Sequence, residues 1–290
     1  MGEKVSSWAF GTIFKGKDLD EGEIVAIKQI SKEDIKISIE NGTFKERDDP
    51  EFEYILDLEY NNIIKEANSM KKISEKIKYS CKYKDFLETE DFFYIISSYY
   101  DGDLNDILRK RKRFTPILIN KIFKQLNEVF KELLKNHIVH RDIKPENILI
   151  KYNNEGYNEK INDNKINFDS ILTDYSLVKR IIMKMILWKL FVERLFLWHL
   201  KFWGKINIKI IDLYSIGVTI FLLYFGKPPI KASSQSAILK KIEKRHYYIP
   251  KIEEDKDLDD LVRKLLEFNP NERITWKDYF EHPFFKKYEY

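Results

Sequence analysis

The stretch "HRDIKPENILI", residues 140–150, decides how the rest of this chain is read. His140, Arg141, Asp142, Lys144, Glu146 and Asn147 crowd cation, carboxylate and carboxamide together, and Ile148, Leu149 and Ile150 then turn apolar. A lone Asp or Lys is usually a solvated surface residue. For the whole string at this spacing that reading is remote, and a chemical site is expected.

Upstream of it, "ILINKIFKQLNEVFKELLKNH" (117–137) has the spacing of a long amphipathic helix. Further back, "DFFYIISSYY" (91–100) reads as a strand and "DGDLNDILRK" (101–110) opens a helix. "NNIIKEANSMKKISEKI" (61–77) places Ile63, Ile64, Ala67, Met70 and Ile73 on one helical face. Residues 31–60 are acidic and lack firm periodicity, so an irregular insertion is expected there. "TIFKGKDLDEGEIVAIKQI" (12–30) reads as two strands around a turn at Asp20-Glu21-Gly22. Downstream, 151–169 is rich in Asn and Lys and reads as a solvated loop. "IDLYSIGVTIFLLYFG" (211–226) is apolar nearly all round, the pattern of a buried helix, and shorter helices close the chain to "HPFFKKYEY". Strands precede helices, which predicts an α+β fold in two lobes, a small β-rich one over 1–98 and a larger helical one over 99–290.

Composition narrows the function classes. With 290 residues, 43% hydrophobic and 34% charged, the chain can bury a full core. A net charge of +4 is too small to argue for nucleic acid or a membrane as partner. The single Cys81 excludes an intramolecular disulfide framework and suits a reducing compartment. "MGEKVSSWAF" has no apolar stretch fit for a signal peptide, so a cytoplasmic location is expected. Its Met-Gly-x-x-x-Ser pattern, through Gly2 and Ser6, is read as chance.

On the strength of "HRDIKPEN" the chain resembles the eukaryotic Ser/Thr protein kinases, and the resemblance runs through nearly its whole length. It implies ATP and Mg²⁺ as cofactors and a protein Ser/Thr hydroxyl as substrate. Phosphoryl transfer needs a carboxylate near the attacking hydroxyl and oxygen ligands for the metal. The resemblance gives Asp142 the first role and Asn147 and Asp174, in "TDYS" (173–176), the second. Lys144 resembles the lysine that steadies the transferred phosphate. "VAIK" sets Ala26 and Lys28 on a strand, with Lys28 at the α/β-phosphates and Glu66 as its helix partner. Ser97 aligns with the residue guarding the pocket behind adenine, and Ser98, Tyr99 and Tyr100 with the adenine edge. Asp212, Gly217 and Arg273 match scaffold positions.

Two departures go with the resemblance. The phosphate loop expects Gly-x-Gly-x-x-Gly, and Ser6, Trp8 and Gly11 stand there, so only the last glycine is kept. Ser176 stands where the metal-binding Asp-Phe-Gly has its glycine. A catalytically impaired relative acting as a binding scaffold is therefore the alternative function. A kinase acting on a small molecule fits the full "HRDIKPEN" string less well.

A third departure has its own explanation. Between Ile181 and Ile211 the chain holds three of its five tryptophans and one acidic residue, Glu193. Lys184, Lys189, Glu193, Arg194 and Lys201 interrupt the run, so it falls short of the roughly 20 apolar residues of a membrane span. The family's activation segment belongs here and is missing. If each codon is read one nucleotide earlier, Trp198-His199 forces alanine, Phe202-Trp203 forces leucine and Trp203-Gly204 forces glycine. Residues 191–204 can then be read as Phe-Cys-Gly-Thr-Pro-Phe-Phe-Met-Ala-Pro-Glu-Ile-Leu-Gly, the ending of a kinase activation segment. Residues 181–210 are accordingly read as out of frame between two compensating indels. As written, no glutamate follows Glu193 before Asp212, so Arg273 is expected to lack the acidic partner the family gives it.

Overall fold

The computed structural model describes residues 2–8, 11–43, 46–136, 138–153, 168–174, 210–230 and 249–288. Residues 181–209 of the segment read as out of frame, with Tyr175 and Ser176, lie outside the described residues. Two compact units emerge: one takes in the described residues up to Tyr100 together with Asp174, and the other those from Asp101 to Thr173 and from 210 onward.

The first unit is built on a five-stranded antiparallel sheet in the order β1-β2-β3-β5-β4. Its strands are β1 (Glu3–Trp8), β2 (Gly11–Lys17), β3 (Ile24–Ser31), β4 (Tyr83–Glu88) and β5 (Phe92–Ser98). β2 and β3 form the expected pair, Lys17 opposite Ile24. In their turn the Asp18 carboxylate accepts from Asp20 N and Glu21 N, and Gly22 takes φ +73°, which glycine adopts without steric cost.

Two helices follow β3, α1 (Lys32–Thr43) and α2 (Pro50–Ser74). They correct the expectation of an irregular insertion at 31–60. The physical reason is that acidic side chains on the solvent face hide a sparse helical period. Ile35 and Ile39 are buried one turn apart in α1, and Phe52, Ile55 and Leu56 line the buried face of α2. Asp49 caps α2 by accepting from Glu51 N at 2.8 Å, and Pro50 stands at the first turn, where its missing N–H is not needed. Glu51 and Glu53 in the first turn and Lys71 and Lys72 in the last complement the helix dipole. Farther along, Ala67, Met70 and Ile73 are buried as expected, and Ile63 and Ile64 are half-buried.

The second unit carries a small sheet, β6 (Gly102–Asp103), β7 (Ile148–Tyr152) and β8 (Phe168–Leu172), beside helices α3 (Leu104–Arg111) and α4 (Pro116–Lys135). Tyr152 pairs with Phe168, so the ends of the expected 151–169 loop belong to strands. Thr115 caps α4, and Leu118, Ile119, Ile122, Phe123, Leu126, Val129, Phe130 and Leu133 make its core face. The Gln125 amide clamps α4 onto β8: Nε2 donates to Phe168 O at 3.1 Å and Oε1 accepts from Ser170 N at 2.8 Å. Next come α5 (Ile210–Phe225), α6 (Lys256–Leu265) and α7 (Trp276–Phe280). Gly217 lets α5 approach α6 closely, since a Cβ there would lie 2.7 Å from the Leu265 Cβ.

Arg273, matched above to a scaffold position, lies in the second unit. Its Nε donates to Glu267 O at 2.8 Å, its Nη2 to Phe268 O at 3.2 Å, and its guanidinium lies 5.0 Å from the Tyr214 ring centroid. Backbone carbonyls and a ring face are among this cation's partners.

Candidate active site

The loop at 140–147 is held from below by α5. Asp212, buried in the first turn of that helix, accepts from His140 N at 2.8 Å through Oδ2 and from Arg141 N at 2.7 Å through Oδ1. Two adjacent N–H groups can point at one carboxylate because Arg141 adopts φ +68°, a region that costs a side-chain-bearing residue on the order of 1–3 kcal/mol. Burial pushes the Asp212 carboxyl above its usual range, against the pull of His140 and the two N–H donors. Burial also lowers the Arg141 guanidinium from its ordinary value, with Asp212 opposing.

His140 is a buried brace. Its Nε2 donates to Thr173 O at 2.9 Å and its Nδ1 accepts from Asp142 N at 3.3 Å, which sets the tautomer and the direction of the Asp142 backbone. Thr219 reaches the next residue, its hydroxyl lying 2.8 Å from Ser215 O and 3.1 Å from Ile143 O and sharing one hydrogen between them. A 3₁₀ turn over Pro145–Asn147 then leads into β7, and Thr173 N donates to Asn147 O at 3.0 Å.

These supports bring Asp142, Lys144 and Asn147 together. Asp142 Oδ2 accepts from Lys144 Nζ at 2.7 Å and from Asn147 Nδ2 at 3.0 Å, and Asn147 Nδ2 also reaches Asp142 O at 2.8 Å. With both amide bonds spent on Asp142, Asn147 keeps its Oδ1 as an acceptor. A neutral amide oxygen and a carboxylate are the hard donors that suit Mg²⁺, which keeps waters and phosphate in its remaining positions. Among the described residues no group of three or more His, Cys, Asp and Glu is gathered for a metal.

The other sequence-predicted residues lie in the first unit. Lys28, inside β3, donates to Glu66 Oε1 at 2.6 Å and to Asp174 Oδ1 at 3.1 Å. Glu66 is 6% exposed and reaches Lys28 from α2, so the long helix carries it to the sheet without looping out 31–60. Asp174 adopts φ +63°, a second non-glycine residue in the left-handed region. Gly11 opens β2 opposite Ile30, and Ala26 lies between Lys15 and Ser97 in the sheet register. Ser98 pairs with Val25 and donates its N–H to Lys82 O at 2.9 Å. The Tyr99 ring lies 4.9 Å from Lys15 Nζ, and Tyr100 Oη accepts from Lys82 N at 3.1 Å. Burial, with the Cys81 thiol adding to it, pushes the Tyr100 phenol well above its ordinary value.

Sequence reasoning named Asp212 only as scaffold and missed Thr219, Thr173 and Lys82. A usable signal existed for Asp212, a carboxylate opening an otherwise apolar helix.

A β-rich unit with a lysine–glutamate–aspartate cluster, and a helical unit with an aspartate held by lysine and asparagine, define the class of ATP-dependent phosphotransferases built on the protein kinase fold. The chain belongs to the protein kinase domain family, which matches residues 2–285. It is 30% identical to calcium-dependent protein kinase 4 of Plasmodium falciparum over 282 residues, which is 96% of this chain and 47% of that protein. It is 27% identical to the Aurora kinase of Schizosaccharomyces pombe over 291 residues, covering 100% of this chain and 72% of that one. It is 28% identical to the serine/threonine-protein kinase TIO of Arabidopsis thaliana over 285 residues, 98% of this chain and 19% of that protein. The chain thus spans about half the length of the calcium-dependent kinase it matches. The family implies ATP and a divalent metal for catalysis and a protein as substrate. Among the described residues no helix is long and apolar enough to cross a membrane.

Proposed function

We propose that this chain is a Ser/Thr protein kinase domain that transfers the γ-phosphoryl group of ATP to protein hydroxyls in the cytoplasm, with Mg²⁺ as its metal. The observation that carries this reading is the convergence of Lys144 and Asn147 on Asp142. Both donors engage Oδ2, which leaves Oδ1 to accept a substrate hydroxyl proton. Lys144, 38% exposed at its side chain, is available to a transferred phosphate. Lys28, aligned by Glu66, holds the α/β-phosphates, while Gly11, Ala26, Ser98, Tyr99 and Tyr100 border the nucleotide. Asn147 Oδ1 and the Asp174 carboxylate hold Mg²⁺, which when bound supplies positive charge to the phosphate oxygens. With this complement of side chains present, the scaffold alternative is not favoured.

The domain limits near residue 98 and the frame reading of 181–210 belong to the same proposal. The relatives' names supply no substrate for this chain, and the calcium dependence in one of them is that protein's property. The test is phosphate transfer from ATP to a generic Ser/Thr peptide, run beside a thermal shift with ATP and Mg²⁺. Transfer together with a shift supports the kinase. A shift without transfer by the frame-corrected chain returns the scaffold, and neither result rejects the assignment of the site.

A further inference from the structure

We infer that Lys82 is a positioning residue for phosphoryl transfer, one that ties the helix carrying Glu66 to the strand end carrying Ser98–Tyr100. The inference rests on the kinase reading above, which assigns those residues to the nucleotide.

Lys82 lies between the end of α2 and the start of β4, and each of its polar groups has a separate task. Its Nζ donates to Ser74 O at 2.6 Å and to Ile77 O at 2.8 Å. Ser74 is the last residue of α2, so the ammonium covers a carbonyl of the ended helix, along with that of Ile77 three residues beyond, and sits at the negative pole of the helix dipole. Its backbone faces the other way. Lys82 N donates to Tyr100 Oη at 3.1 Å, and Lys82 O accepts from Ser98 N at 2.9 Å. One residue therefore holds the helix terminus with its side chain and the end of β5 with its main chain.

The link matters because of where Glu66 stands. It lies eight residues before Ser74, about 12 Å along the helix axis. Its contact with Lys28 is a single 2.6 Å bond to one carboxylate oxygen. If the ammonium left, three options would remain for the two carbonyls: hydration, refolding of the last turn, or a tilt of α2. Hydration requires the half-buried 74–82 corner to open, and either of the others moves Glu66 relative to Lys28. Desolvation lowers the Lys82 ammonium from its ordinary value, as expected for a cation that has exchanged water for two carbonyls.

The test separates positioning from simple helix capping. Lys82→Met keeps the stem and removes the charge, and Lys82→Arg restores a donor to the carbonyls. Each is made in the frame-corrected parent and in its Glu66→Gln background, with ADP affinity by calorimetry and turnover at saturating ATP and peptide as readouts. Lys82→Met is expected to lower turnover and ADP affinity by roughly ten-fold in the parent, equivalent to one decade of equilibrium or rate. In the Glu66→Gln background the same change is expected to cost less than about two-fold, since the contact it positions is already lost. Lys82→Arg should recover most of the parent value. If Lys82→Met does not fold, Lys82→Gln, which keeps one donor, enters the same cycle. Unchanged turnover, or an equal loss in both backgrounds, overturns the proposal and leaves Lys82 a stability residue. A parent that binds no ADP fails before any variant is compared, and that result rejects the kinase reading itself.

Discussion

Replacing Asp142 by asparagine tests the centre of the site with almost no change of shape. Asp142 Oδ2 receives two donors, Lys144 Nζ at 2.7 Å and Asn147 Nδ2 at 3.0 Å. An asparagine must aim its only side-chain oxygen at those donors, because the reverse orientation sets NH₂ against NH₃⁺ and NH₂. The amide then presents NH₂ where Oδ1 stood, and NH₂ cannot take a proton from a hydroxyl. Base catalysis contributes about 10² to 10⁴-fold, or about 2.7–5.5 kcal/mol of barrier. Stability should hardly move: the Asp142 and Lys144 side chains are 28% and 38% exposed, and an ion pair that open to water contributes under about 1 kcal/mol. The assay is single-turnover transfer from ATP to a Ser peptide by the frame-corrected chain, beside ADP titration and urea denaturation. Turnover should fall by at least two decades with ADP affinity within about two-fold of the parent. Turnover within a few-fold of the parent would refute the assignment of Asp142 as base.

On the proposed alignment Ser97 leaves room behind adenine, so bulky N6-substituted purines should inhibit the parent, and Ser97→Phe should abolish that inhibition while ATP still binds; equal inhibition of both proteins breaks the Ser97 alignment. Gly217→Ala adds a Cβ 2.7 Å from Leu265 Cβ, and overpacking of about 1–3 kcal/mol should exceed the roughly 1 kcal/mol of helix propensity gained, so the urea midpoint should fall rather than rise. Asp255 is buried, and although burial raises its carboxyl, bonds from Tyr288, Lys287 and Leu258 N hold it below its usual 3.8. A depressed carboxyl stabilises the fold above its unfolded value and loses that contribution as pH falls through the folded one, so stability should decline with acid below about pH 3.8, and Asp255→Asn should flatten that decline in denaturation series from pH 7 to pH 2.5.

The parts of the fold that could be read from sequence are those whose signal is local. β3 and β5 announce themselves by apolar β-branched and aromatic runs, α4 by an unbroken helical period, and the loop at 140–147 by a string that needs no distant residue to be seen. The edge strands β1 and β4 are polar and mixed because each has one paired side, so neither carries an alternation strong enough to read. α1 and the first half of α2 bury only five large apolar side chains among many acids, and tertiary packing outweighs the weak pattern. The site divides on the same line. Lys144 and Asn147 stand within five residues of Asp142, whereas Asp212 acts across 71 residues from Arg141, Thr219 across 76 from Ile143, and Lys82 through main-chain atoms that its side chain does not advertise.

The segment 181–210 poses a different question, because its sequence contradicts its place in an otherwise consistent chain. Lys184, Ile186 and Lys189 each follow a codon ending in G, so a shift of one nucleotide forces Glu, Asp and Glu at those points and returns the acidity that the segment lacks. Ten residues beyond Lys189, the same shift forces alanine at Trp198-His199 and permits Met, Pro and Glu around it. A membrane-surface helix would account for the tryptophans and lysines. It would not place forced residues in register with the segment that this family has between Asp174 and Asp212. Arg273 does not decide the matter, since carbonyls of Glu267 and Phe268 and the Tyr214 ring already hold it. On the frame reading the written segment lacks the residues that receive peptide, while Lys28, Glu66 and Asp174 lie outside it and stand together. The written and frame-corrected chains, expressed side by side, should therefore bind ADP alike, within about three-fold, half a decade of equilibrium constant. Peptide phosphorylation should appear only in the corrected chain, which should also be the more soluble, since Leu195, Phe196, Trp198, Phe202 and Trp203 would be gone from its sequence. Robust and equal peptide phosphorylation by both would make the tryptophan-rich segment a working part of this enzyme and end the frame reading.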